Sequence, residues 1–270
     1  MAGGEADLAV SAVQAAEAYE HHLVPPIFGP WAALAVDLAA PKPGEAVLDA
    51  ACGTGIGVRL AAPCVLAAGR LAGVDNDPGM VSVARQIAGR DGITADWRCE
   101  SVLQLPFADA TFDLCLCLQG PQFISDPAGG LVELRRVLKS SGRLIATMWC
   151  AIEHNKGHYA LAQALERQGL APATRPFSLG DSEEVRTLMQ QAGFGKVELQ
   201  AQERQATFPS VEAFVAGVAA GAPATRHALA QLTEDSKQQF VMDVEAILQP
   251  YVNKNGVTLP TRAHLIFATP

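Results

Sequence analysis

The stretch Val47-Leu48-Asp49-Ala50-Ala51-Cys52-Gly53-Thr54-Gly55-Ile56-Gly57 decides how this chain folds. A short apolar run, Ala46 to Leu48, ends in an acid and then in a turn carrying glycines at 53, 55 and 57. Glycines after a strand let the backbone turn tightly and approach a ligand closely, where a side chain would stand in the way. A nucleotide-like ligand is the first expectation. Position 58 is Val, however, so the dinucleotide spacing GxGxxG lacks its third small residue. Asp49, directly before the turn, would repel a pyrophosphate and suits a ligand with an amino or cationic group. A purely structural turn is the competing reading of these glycines.

Outward from the turn, Leu71-Ala72-Gly73-Val74-Asp75 is a second short apolar run ending in an acid. A carboxylate there is placed to accept hydrogen bonds from both hydroxyls of a ribose. Alternatively, Asp75 caps the helix that begins near Pro78, and Met80 lies either against a base or in ordinary core. The pattern then repeats: Pro78 to Ala88 is helix-like, Asp113 to Leu118 strand-like, Leu131 to Leu138 helix-like and Arg143 to Trp149 strand-like. Such alternation predicts βαβ units and a parallel sheet covered on both faces, with the first 150 residues as one doubly wound domain.

Before that domain, residues 10 to 40 read as helical and apolar, broken by Pro25, Pro26 and Pro30. After it, Asp181 and Glu184 form a capping box for a helix over 183–192, which Gly193 closes. Lys196 to Phe208 alternates as a strand, and His264 to Ala268 is a final short one. Between them, residues 210 to 255 look mostly helical, opened by Ser210 and loosened by Gly217, Gly221 and Pro223. These helices are expected to cover the first domain and not to form a second.

Composition narrows the function. The 270 residues are 49% hydrophobic and carry a net charge of −8, so a sizeable core is expected and a polyanionic partner such as nucleic acid is not. No apolar stretch is long and clean enough to span a bilayer, since Gly57 to Val74 is interrupted by Arg59, Pro63 and Arg70. An N-terminus with Gly3, Gly4, Glu5 and Asp7 does not read as a secretory signal, so a cytoplasmic chain is expected. The six cysteines, Cys52, Cys64, Cys99, Cys115, Cys117 and Cys150, include no CxxC pair and no His at zinc-finger spacing. They are expected to be buried structural thiols, with no metal site, and Cys115 and Cys117 should share one face of a strand.

Four blocks in order and spacing now resemble the class I S-adenosylmethionine-dependent methyltransferases, in particular the small-molecule branch called type 11 or ubiquinone/menaquinone-biosynthesis-like. They are 47–55, Gly73-Val74-Asp75-Asn76-Asp77-Pro78-Gly79-Met80, Leu105-Pro106-Phe107-Ala108-Asp109-Ala110-Thr111-Phe112-Asp113, and Glu133-Leu134-Arg135-Arg136-Val137-Leu138-Lys139. Tyr19 to Trp31 and Pro176-Phe177-Ser178-Leu179-Gly180-Asp181 resemble the same branch. The resemblance implies an α/β fold with a doubly wound, mostly parallel seven-stranded sheet, Rossmann-like, in a single domain over 1–270. Residues 1–42 would be an N-terminal helical cap and 210–255 a helical lid.

The resemblance further implies S-adenosylmethionine as cofactor and S-adenosylhomocysteine as product. Asp49, Gly53 and Gly55, with Ala51, Cys52 and Thr54 in the same turn, would hold the methionine moiety. Asp75 would bind the ribose, Asn76 and Met80 would border the adenine, Ser101 and Val102 would meet its edge, and Gln119 would line the floor near the sulfonium. Ala51 replaces a frequent glycine, Ser101 a common aspartate, and Ser140-Ser141-Gly142 a usual Pro-Gly-Gly turn.

Methyl transfer is an in-line displacement from an activated donor, so alignment supplies much of the acceleration and no protein nucleophile is needed. No catalytic residue is assigned. His154 and His158 are candidate bases, their alternative being a solvated i, i+4 pair; His21 and His22 could approach if the N-terminal segment folds over the site. Tyr19, Trp31, Trp149 and Tyr159 are candidates to meet a small-molecule acceptor. The competing functions are a non-catalytic module that binds S-adenosylmethionine and an NAD-dependent oxidoreductase.

Overall fold

A computed structural model describes residues 2–66 and 68–270, with side chains from residue 12 onward. Eight strands form one sheet: β1 (Ala46–Ala50), β2 (Arg70–Asp75), β3 (Asp96–Cys99), β4 (Phe112–Leu118), β5 (Leu138–Trp149), β6 (Lys196–Phe208), β7 (Val252–Asn253) and β8 (Gly256–Thr269). Their order is β3-β2-β1-β4-β5-β8-β6, with the two-residue β7 attached to β8. β1 to β5 pair in parallel, and β8 runs antiparallel to both β5 and β6. Apart from the small β7, this is the mostly parallel, seven-stranded doubly wound sheet expected. Its order reverses at β1 and β4, where a crevice opens at the strands' carboxyl ends.

The helices are α1 (Ala2–His22), α2 (Gly29–Ala39), α3 (Ile56–Val65), α4 (Pro78–Arg90) and α5 (Pro127–Val137) in the first half. The second half adds α6 (Lys156–Arg167), α7 (Ser182–Gln191), α8 (Val211–Gly221), α9 (Pro223–Leu229) and α10 (Glu234–Leu248). Because side chains alternate along a strand, each strand feeds two cores. Leu48, Cys115, Cys117, Leu144 and Ala146 pack under α5 and α7, whereas Val47, Leu114, Leu116 and Ile145 pack under α2 and α3. Cys115 and Cys117 thus share a face, as expected. Cys52 and Cys150 are buried too, but Cys64 and Cys99 are exposed, so the expectation of six buried thiols fails for those two. Cys64 lies on the solvent side of α3, and Cys99 ends the edge strand β3.

A third core, apart from the sheet faces, joins Leu23, Ile27, Trp31 and Trp149 to Leu161 and Leu165 of α6, Phe214 and Val218 of α8, and Phe240 and Val244 of α10. β8 makes this possible by its length. Only its half from Ala263 to Ala268 pairs with β5, while β6 accompanies it along its whole course, so the two strands run on beyond the parallel sheet. The final strand is therefore far longer than the five residues read from the sequence.

The proline-rich break near residue 25 takes a different form from a simple interruption. Val24–Phe28 is a π-helical turn leading directly into α2, and Pro25 sits in its first turn, where a missing N–H costs little. Gly221 does not loosen the helices either. A Cβ there would lie 2.7 Å from Leu23 and 3.0 Å from the Tyr19 backbone, and one at Gly79 would lie 2.4 Å from the Ala12 carbonyl. Two glycines thus admit α1 between α4 and α8, directly over the crevice.

Candidate functional site

Two carboxylates organise the crevice. Asp49, inside β1 and 1% exposed, accepts from the Val58 N–H at 3.2 Å, at the start of α3. A Cβ at Gly57 would come within 2.5 Å of its Oδ2, so Gly57 is glycine to make room for this carboxylate. Burial, with a further push from Asp75, raises the Asp49 pKa to about 7. Asp75, at the end of β2, accepts from Gly53 N–H at 2.8 Å and from Asp77 N–H at 2.9 Å, and burial raises its pKa as well. It does not cap α4. That part falls to Asp77, whose side chain accepts from Gly79 and Met80 N–H.

The glycines of the turn divide their work. Gly53, at φ +52°, has only the Tyr19 ring 3.9 Å from where a Cβ would be, so its backbone is open to the crevice. Gly55, at φ +82°, instead takes the Trp97 ring, 2.6 Å from a Cβ position. Ala51 adopts φ +55°, a left-handed conformation that costs an L-residue roughly 1–2 kcal/mol and that explains why glycine is frequent there. Gln119 follows β4 in the same conformation, its N–H held by Thr147.

A cavity of about 600 Å³ lies over these strand ends, within the roughly 300–1,000 Å³ usual for small-molecule sites. Of the residues expected to hold a cofactor, Asp49, Ala51, Cys52, Gly53, Asp75, Asn76, Met80, Ser101, Val102 and Gln119 line it. Thr54 and Gly55 do not. The Thr54 hydroxyl donates instead to Glu20 of α1, which also pairs with Arg59 at 2.8 Å, so Thr54 fastens α1 to the turn. Neither Glu20 nor Trp97 stood out in the sequence, because each matters through a partner 34 or more residues away.

At the other end the walls are apolar: Leu23, Ile27, Phe28, Trp31, Trp149 and Val218, with His158 among them. Trp31 and Trp149 meet edge to face at 5.9 Å, and the Trp31 indole N–H donates to Thr261 at 3.0 Å. Tyr19 closes the space over Gly53, and burial raises its pKa. His158 stands against Phe177 and Phe214, without a hydrogen-bond partner among the described residues, and burial lowers its pKa to about 4. It is a neutral imidazole. The solvated i, i+4 pair is thereby excluded, because His154 is exposed and outside the cavity while His158 is inside. Tyr159 also lies outside, bonded to Gln163, and His21 and His22 are exposed against each other.

One amide pair is incompletely satisfied. Gln122 Nε2 donates to Gln119 Oε1 at 3.0 Å, leaving Gln119 Nε2 and Gln122 Oε1 buried without partners. Exchanging O and N in both amides preserves this count, so one donor and one acceptor stay free, and of the two residues Gln119 lines the cavity.

Residues 48–146 match the family model described as a methyltransferase domain. That match runs from β1 to β5 of the sheet. Among curated proteins it is 37% identical over 117 residues to 2-phytyl-1,4-naphtoquinone methyltransferase of Synechococcus elongatus, covering 42% of this chain and 49% of that protein. It is 38% identical over 102 residues to demethylmenaquinone methyltransferase of Deinococcus radiodurans, covering 37% and 41%. This chain therefore spans half or less of the curated relatives it matches. In fold it is similar to YcgJ of Bacillus subtilis, with TM-score 0.61 and 18% identity over 89% of this chain and 98% of that one. Phosphoethanolamine N-methyltransferase 2 of Haemonchus contortus, solved with S-adenosylhomocysteine, gives TM-score 0.61 and 19% identity over 94% and 57%. No helix among the described residues is long and apolar enough to cross a membrane, and no group of three or more candidate metal ligands occurs among them.

Proposed function

We propose that this chain transfers a methyl group from S-adenosylmethionine to a small, largely apolar acceptor. The observation that carries this is the pair of buried carboxylates on adjacent strands, Asp49 and Asp75, flanking the open backbone of Gly53. A cationic amino-acid moiety suits Asp49, a ribose suits Asp75, and the unpaired Gln119 amide atom suits a polar group of the acceptor nearby. The cofactor, when bound, supplies an activated methyl on a sulfonium. The protein's part is to orient the two molecules and exclude water: Tyr19 and α1 close one side, α8 and α9 another, and the tryptophans offer an apolar wall. Their place over the cavity supports a cap at 1–42 and a lid within 210–255.

The nicotinamide alternative is disfavoured by the same geometry. At a dinucleotide turn the first N–H groups of the helix face phosphate, whereas here the Val58 N–H is already held by the Asp49 carboxylate. A flat, quinone-like acceptor is supported by the aromatic walls and by the names of the relatives. His158, neutral and unpaired, would accept a hydrogen bond from an acceptor hydroxyl. A base of pKa near 4 removes little of a phenolic proton, so alignment is the main source of rate. Calorimetric titration with S-adenosylmethionine and S-adenosylhomocysteine tests the proposal. Binding of both is expected, weakened at least tenfold in Asp75→Ala, since a charge-assisted hydrogen bond contributes roughly 1.5–3 kcal/mol. Binding of neither would sink it.

A further inference from the structure

Arg175 is the only Lys or Arg among the residues lining the cavity. It opens a short 3-10 turn, Arg175–Phe177, whose Phe177 packs against His158 inside the cavity. Its own side chain is exposed, so it stands at the mouth, where Nη2 donates to the Phe123 carbonyl at 3.1 Å. That bond uses one of five N–H donors and leaves the rest without a partner among the described residues. No acidic side chain pairs with it among the described residues, although the chain has 28 acids against 20 Lys and Arg. The other formal charges on the lining are Asp49, Asp75 and Asp77, all at the polar end. Charge is thus separated along the cavity: acids where a cationic donor would lie, an apolar middle, and one unneutralised cation at the entrance.

Resting on the functional reading above, we propose that Arg175 selects acceptors that carry a single carboxylate on a flat apolar body. A guanidinium is a planar fork that matches a carboxylate through two parallel hydrogen bonds. One cation balances one negative charge, whereas a phosphate dianion would leave a charge uncompensated in a cavity with no second Lys or Arg on its lining. The apolar body would lie along Trp31 and Trp149, with the carboxylate held at the mouth as an anchor.

The test uses 2-naphthoate, its uncharged isostere 2-naphthamide and 2-naphthyl phosphate, each titrated into the full chain saturated with S-adenosylhomocysteine. Tryptophan quenching and calorimetry report binding. The wild type is expected to hold 2-naphthoate about threefold tighter than 2-naphthamide, within the range of a charge pair open to solvent. Arg175→Met should abolish that preference and leave 2-naphthamide and S-adenosylhomocysteine affinities unchanged, and Arg175→Lys should recover part of it. Equal affinity for acid and amide, an unchanged preference in Arg175→Met, or tighter binding of the phosphate would each overturn the proposal. Loss of S-adenosylhomocysteine affinity in Arg175→Met would overturn it too, by assigning the guanidinium to the cofactor. If the wild type binds no S-adenosylhomocysteine yet prefers the acid in an Arg175-dependent way, the cofactor reading fails and the anion site stands.

Discussion

Binding of S-adenosylmethionine should expel a proton from Asp49. In the free protein, burial lifts this carboxyl to about 7, so at pH 7 about half the molecules carry the proton. A cationic ligand placed against Asp49 favours the ionised form and draws the pKa back toward the ordinary carboxylate range. At pH 7 about 0.5 proton is then released per ligand bound, rising to about 0.9 at pH 6. The affinity should fall about 30-fold between its plateau near pH 8 and pH 5.5. Lowering the pH across this window does not cost stability through Asp49. Its pKa is raised in the native state, so its contribution to stability is complete below the unfolded value near 4 and is lost as pH rises through 7.

Calorimetry at pH 7 in two buffers of different ionisation enthalpy measures the released proton, and a pH series measures the slope of affinity. Asp49→Asn should bind more weakly at pH 8, release no proton and show a flat profile. Less than a twofold change in wild-type affinity between pH 5.5 and 8 would refute the reasoning. So would a slope that survives in Asp49→Asn and disappears in Asp75→Asn, since the neighbouring strand's carboxyl, itself raised by burial, would then hold the proton.

Three further outcomes test the site's construction. Gly57→Ala places a methyl 2.5 Å from the Asp49 carboxylate and should cost about 1–3 kcal/mol in denaturant unfolding together with cofactor affinity; a near-neutral variant would show that the carboxylate can move aside. Ala51→Gly relieves the left-handed strain at φ +55°, which outweighs the added freedom of the unfolded chain, and should raise the denaturant-unfolding free energy by up to about 1 kcal/mol; a destabilised variant would show that Ala51 is unstrained. The His158 imidazole should show no NMR titration between pH 5.5 and 8. Because its folded pKa lies below the unfolded value, the stability tied to it is full above about 6.5 and is lost as pH falls through 4; a midpoint near 6.5 would place the ring in water.

What the sequence made legible follows from how local each signal was. Parallel strands covered on both faces read as apolar runs, and the acid closing β1 or β2 lies within six residues of that run, so the strand ends and their carboxylates were readable together. The capping of α7 by Asp181 was equally local. The glycines of the turn were only partly readable. Their spacing announces a close approach, but whether ligand, Trp97 or the Asp49 carboxylate does the approaching depends on residues 8 to 42 positions away, and only Gly53 faces the cavity. Thr54 was misassigned for the same reason, its partner Glu20 being on a helix that returns to the turn through the π-helical bend. The length of β8 was hidden because Pro260 falls within its first half, where a proline argues against a strand and where β6 and the short β7 are its partners.

The placement of α1 shows why the added helices bear on chemistry and not only on stability. Its carboxyl-terminal half supplies Tyr19 over Gly53 and Glu20 to Thr54 and Arg59, while Leu23 passes into the third core with Phe214 and Val218 of α8. One helix therefore touches the glycine turn and the apolar wall at once. Any shift of α8 large enough to admit a bulky acceptor must pull on Gly221, where α1 and α8 are already in contact with no room for a Cβ.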